Sequence, residues 1–121
     1  MNNEKLTIKR DIVERTYSLA LRIIKFVKTL PKETSVFVLG RQLVASGTSI
    51  AANVEEAQGA FSKDDFIYKM QTAFKEALET NLWLRLIFDA KLSDASELKS
   101  LLQESTEIKK ILASIVKNSK K

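Results

Sequence analysis

The chain has no cysteine and no histidine, and only one proline and three glycines among its 121 residues. Without cysteine there is no disulfide, no thiolate metal site and no cysteine nucleophile. Without histidine the commonest general base and the commonest transition-metal ligand are both missing. No run approaches about 18 uncharged apolar residues, and the opening MNNEKLTIKRD lacks an apolar stretch. Neither a signal peptide nor a membrane-spanning helix is therefore expected, and a cytoplasmic location is. The scarcity of glycine and proline argues against a turn-rich β-sandwich. A composition of 45% hydrophobic and 29% charged residues argues against disorder. One domain over residues 1–121 is expected, long enough to bury about two-thirds of its unfolded surface.

What is present is helical pattern and positive charge. The net charge is +5, unevenly spread. Residues 1–45 carry nine Lys/Arg against four Asp/Glu, residues 46–100 six against nine, and residues 101–121 five against two. Basic ends flank an acidic middle, a balance that attracts phosphate backbones or simply keeps a surface solvated.

Four amphipathic patterns follow one another, predicting helices at about 6–30, 35–58, 63–91 and 94–117. In the first, Ile12, Leu19 and Phe26 recur every seven residues with Ile23 and Leu30 beside them. Pro31 ends it, because proline disfavours helix at the preceding residue. Thr34 or Ser35 offers an N-cap to the second, whose core line is Val36, Leu43, Ile50 and Ala57 and which Gly59 closes. Ser62 followed by Asp64 and Asp65 starts the third, with Ile67, Met70, Phe74, Ala77, Leu84 and Phe88 as its core line. Ser93 or Asp94, with Glu97 following, starts the fourth, and Leu101, Ile108 and Ile115 line it. Short links between long helices make neighbours antiparallel. The expected fold is all-α, an up-down-up-down antiparallel four-helix bundle; the alternative is a pair of helical hairpins that complete their core by oligomerising.

The third helix is apolar nearly all the way round near its end. Leu78, Leu82 and Leu86 point away from the core line and Trp83 points a third way, a surplus that predicts an oligomer interface. On the second helix Ala45, Ser49, Ala52 and Glu56 form a narrow strip of mostly small residues beside the core line, and Gly47 implies a close helix contact or a bend. Asn53 and Asn81 fall near the core lines. Glu-rich bundles can hold di-iron sites, but these need a Glu-x-x-His motif that a histidine-free chain cannot supply. Structural polar positions that set helix register are preferred, and no catalytic residue, metal or cofactor is expected.

The stretches QLVASGTSIAANVEEAQGAFSKDDFIYK and ALETNLWLRLI, with FVKTLPK and KEALET, resemble the family of small bundle proteins named after open reading frames in intervening sequences of bacterial 23S ribosomal RNA genes. That family in turn is similar to the accessory protein of diversity-generating retroelements. The resemblance implies a homopentameric, basic, nucleic-acid-binding assembly, and places signature polar positions at Ser49, Asn53, Glu56, Glu76 and Glu79. The family pattern has Arg before the Ser-Gly pair, where this chain has Ala45. Arg41 or Arg22 is expected to take over that cation's pairing with Glu76.

Two functions are expected from these readings. The first is a non-enzymatic oligomer, with itself and RNA or DNA as partners, that binds phosphate electrostatically through Arg15, Arg22, Lys25, Lys28, Lys117, Lys120 and Lys121. The alternative is a protein-interaction scaffold whose charge serves solubility. A continuous basic rim favours the first, and cations interleaved with carboxylates favour the second.

Overall fold

The computed structural model describes the backbone of residues 3–121 and the side chains of residues 11–121. Four helices, α1 (Asn3–Val27), α2 (Thr34–Gln58), α3 (Lys63–Asp89) and α4 (Ser96–Ser119), run up, down, up and down. Each packs on its two neighbours, α1 on α2 and α4, and α3 on α2 and α4, so the helices form a square with no diagonal contact among the described residues. The heptad lines explain this closure. Ile12, Leu19, Ile23 and Phe26 meet Val36, Leu43, Ile50 and Val54 across α1 and α2, while Met70, Ala77 and Leu84 meet Leu101, Ile108 and Leu112 across α3 and α4, all of them buried. Burial of each large aliphatic side chain contributes about 1.5–3 kcal/mol before entropy is counted.

Several expected boundaries and core positions move. The first helix ends at Val27 rather than Leu30, and Thr29 and Leu30 close short turns onto Phe26 and Val27 before Pro31. The N-cap of α2 is Glu33, not Thr34 or Ser35, and its side chain makes no capping bond. Ser62 does cap α3: its Oγ accepts from the Asp65 amide at 3.0 Å, and Asp65 accepts from the Phe61 amide in return. α3 stops at Asp89 because Lys91 takes a left-handed conformation (φ 56°), and the Leu92 amide donates back to the Ile87 carbonyl. α4 starts at Ser96 with Ala95 as cap, and Ser93 only closes a local turn onto the Ala95 amide. Phe88 is 43% exposed rather than core, because the helix is about to end beside it. Ile67, Phe74 and Ile115 are half-buried.

The close approach expected at Gly47 is present, against α1. A Cβ there would lie 2.6 Å from Ile23 Cδ1, and one at Gly40 would lie 3.0 Å from Val27 Cγ1. The strip expected to pack closely does not: Ala45, Ala52 and Glu56 are exposed, and α3 reaches it through the Lys69 side chain at Glu56.

Candidate interaction surfaces

Polar groups inside the bundle tie helices together. Thr80 Oγ1 donates to Ser46 Oγ at 2.9 Å across α2 and α3, and Asn81 Nδ2 donates to Ser105 Oγ at 2.9 Å and Thr106 Oγ1 at 3.1 Å across α3 and α4. Asn81 Oδ1 accepts from Arg85 Nε at 2.9 Å. Sequence reasoning missed Ser46, Thr80 and Ser105, which have no distinctive spacing and are found only by their burial. Of the expected polar positions, Ser49 and Asn53 bond to each other within α2, Glu56 pairs with Lys69 at 3.0 Å, and Glu79 is exposed. The Glu56 carboxylate raises the Lys69 pKa, chiefly through that hydrogen bond.

Glu76 lacks the expected cation. Arg22 turns to α4 instead, where its Nη2 donates to Glu97 at 2.5 Å and Ser100 at 2.7 Å. Arg41 is exposed and, among the described residues, pairs with no carboxylate. The physical reason is helix position: Arg22 lies on the side of α1 that faces α4, and Arg41 sits outward on α2. Partial burial, and then the neighbouring charge of Glu79, push the Glu76 carboxyl up. Trp83 packs its ring against the core on the same side of α3 as Glu76, and its buried indole N–H has no acceptor among the described residues.

The seven candidate phosphate-binding cations separate into three groups. Arg15 is committed to α4, donating from Nε and Nη2 to the two oxygens of Glu104 at 3.0 and 2.6 Å and from Nη2 to Glu107 at 3.0 Å. That fork holds the Glu104 carboxyl below its usual range and raises the guanidinium's own pKa. Arg22 is committed in the same way. Lys25 and Lys28 are exposed at the end of α1, and Lys117, Lys120 and Lys121 at the end of α4. Those two ends are opposite poles of the bundle, because α4 runs antiparallel to α1. Its 24 residues span about 36 Å. One chain thus presents two lysine groups at its poles, joined by a flank in which arginine alternates with glutamate.

Two uncovered apolar surfaces stand on opposite sides of this framework. On α3, Leu78, Leu82 and Leu86 are 44%, 37% and 41% exposed, aligned at helical spacing. Between α1 and α2 an open groove of about 1000 Å³ is walled by Val27, Leu30, Phe37 and Val44. No group of acidic side chains among the described residues converges as a metal site needs, and no described helix is long and apolar enough to cross a membrane.

Helix order, antiparallel packing and cross-helix polar ties define a small all-α bundle protein with exposed apolar side chains on α3. Its residues 9–114 match the model of the 23S rRNA-intervening sequence protein family, and the chain belongs to that family. It is 39% identical to a Bacteroides thetaiotaomicron protein of unknown function from the S23 ribosomal protein family, solved as a crystal structure at 1.70 Å. That similarity covers 91% of this chain and 98% of the other, with a TM-score of 0.83. No curated protein matches the chain.

Proposed function

We propose that this protein is a non-enzymatic, cytoplasmic, self-assembling scaffold. The carrying observation is the leucine ridge on α3: three large apolar side chains about two-fifths exposed on one face of a well-packed helix. Lone exposed leucines are ordinary, whereas an aligned row next to a complete core is the mark of an interface. The resemblance to the accessory protein of diversity-generating retroelements supports five subunits as the stoichiometry. Sedimentation velocity tests the reading: a species several times the 13.7 kDa chain mass is expected, and a monomer at micromolar concentration refutes it.

Nucleic acid is the second reading, favoured by the five lysines that carry no ion pair among the described residues. Arg15 and Arg22 no longer belong to it, since a phosphate would have to displace Glu104 or Glu97. The remaining cations lie at the two poles, about 36 Å apart along α4, a distance that about ten base pairs span. A titration against structured RNA and duplex DNA at two salt concentrations tests it. Binding that weakens steeply with salt supports this reading, and no binding at low salt eliminates it.

A further inference from the structure

We propose that the α1–α2 face pairs with the same face of a second copy of this chain, about a two-fold axis that passes beside Leu21 and lies perpendicular to the helices. The contact adds to the self-assembly reading, which uses α3 on the other side of the bundle, and stands or falls independently of it.

The face is apolar across its waist and charged at its two ends. On α1, Tyr17, Leu21 and Ile24 are 68%, 43% and 38% exposed at helical spacing. They lie away from Arg15 and Arg22, which reach α4. On α2, Val44, Thr48 and Ala51 are half-buried beside them, and Lys28, Arg41 and Val44 line one continuous groove across both helices. Lys28 and Arg41 stand at the end near the α1–α2 link, and Glu14 and Glu55 at the far end. All four are exposed, with no ion pair among the described residues. Gly47 packs on Ile23 so closely that its Cβ would lie 3.8 Å from Ile23 Cβ, which sets Leu21 level with Ser49. From that level Lys28 is seven residues and Arg41 eight toward the link, while Glu14 is seven and Glu55 six away from it. Each charge therefore stands about 9–12 Å from the middle.

Such a face complements an inverted copy of itself. A two-fold perpendicular to the helices reverses these heights and lays α1 on α1 and α2 on α2, antiparallel. Glu14 then meets Lys28 of the second copy, Glu55 meets its Arg41, Tyr17 meets its Ile24, and Leu21 meets Leu21. Lys25, on the same edge of α1, reaches the second copy's Glu14 as well. A two-fold along the helices would keep the heights and lay α1 on α2, opposing Lys28 to Arg41 and Glu14 to Glu55. Like charges disfavour that arrangement. Lys32 and Glu33 lie in the link beyond this overlap and carry opposite signs. The contact is isologous and closes at two, so it doubles whatever number of chains the α3 ridge joins.

The cysteine-free sequence permits a direct test, because only a residue on the two-fold meets itself. Leu21→Cys supplies one thiol, and a short bismaleimide is expected to join two chains through it. Glu14→Cys would stand about 20 Å from its own copy along the helix and is expected to stay unlinked. Equal yields at the two positions, or none at Leu21, overturn the axis. Charge reversal tests the register: Glu14→Lys and Lys28→Glu each oppose like charges twice per pair, and each is expected to weaken pairing at least about tenfold in sedimentation. A 1:1 mixture of the two makes both contacts opposite in sign and is expected to recover wild-type pairing. Single variants that pair like wild type, or a mixture no better than either alone, overturn the proposal. All three positions are exposed, and helical circular dichroism checks each fold; should one variant fail to fold, Arg41→Glu and Glu55→Lys carry the same mixing test. Leu82→Lys separates this contact from the ridge. A dimer that Leu21→Cys still links supports the pairing, and monomers overturn it while the ridge reading stands. An unchanged wild-type dimer supports the pairing and refutes the ridge.

Discussion

Asn81 offers a sharp test of how the bundle is held together. It is 5% exposed and lies between α3 and α4. Its amide donates to Ser105 and Thr106, and both of those hydroxyls already donate to the Leu102 carbonyl, at 3.0 and 2.9 Å. Each hydroxyl therefore has only acceptor capacity left for Asn81. Asn81→Asp keeps the shape but replaces the donor with an acceptor. Two buried contacts become oxygen against oxygen at about 1–3 kcal/mol each, offset by about 1–2 kcal/mol from a charge-strengthened bond to Arg85. The expected net loss is about 2–4 kcal/mol at neutral pH. Asn81→Leu removes the same bonds without burying a charge, and is expected to lose less, about 1–2 kcal/mol. In urea, with a slope of about 1–3 kcal/mol/M, the aspartate variant's midpoint falls by about 1–2 M at fixed protomer concentration. The sign of its pH dependence is also determined. A carboxyl facing acceptors has a folded pKa above its unfolded one, so the deficit is full above the folded pKa and shrinks as pH falls through it and an O–H donor returns. An aspartate variant within about 0.5 kcal/mol of wild type, or more stable than the leucine variant, refutes the assigned donor directions.

Two further substitutions probe the packing and the flank. Gly47→Ala favours helix by up to about 1 kcal/mol, but its Cβ meets Ile23 Cδ1 at 2.6 Å inside the core, so a net loss of about 1 kcal/mol is expected. In an Ile23→Val background that atom is gone, and the same Gly47→Ala change raises the thermal midpoint; equal effects in both backgrounds disprove the contact. Arg15→Met removes the fork on Glu104 and is expected to cost about 1 kcal/mol at neutral pH. Because Arg15 lowers the Glu104 pKa in the fold, that stabilisation is present above the unfolded carboxyl pKa and is lost as pH falls through the folded one. The wild-type and variant stability curves should therefore converge on the acid side, and a gap that stays constant down to pH 2 contradicts the assignment.

The bundle was legible because most of its core lies on seven-residue lines, which survive any small error in helix ends. Val36, Leu43, Ile50 and Ala57 are all buried as their spacing requires. The end of α3 was not legible, because Lys91 occupies a left-handed position where glycine is the usual signal, and lysine gives none. The buried ties were hidden for a different reason. Ser46, Thr80 and Ser105 look like ordinary helix-surface residues until a neighbouring helix covers them.

The sequence by itself determined the helix count, the antiparallel order and the absence of histidine and cysteine chemistry, since these follow from local periodicity, link length and composition. Only the tertiary structure decided the partners of the charges. Arg15 and Arg22 carry the same charge as Lys25 and Lys28, and nothing in their spacing says that α4 places Glu104 and Glu97 within hydrogen-bond reach of the arginines alone. Local pattern determines which way a side chain points along its own helix. What it meets there depends on the register of another helix far away in the chain, and that register is set by packing of the whole core.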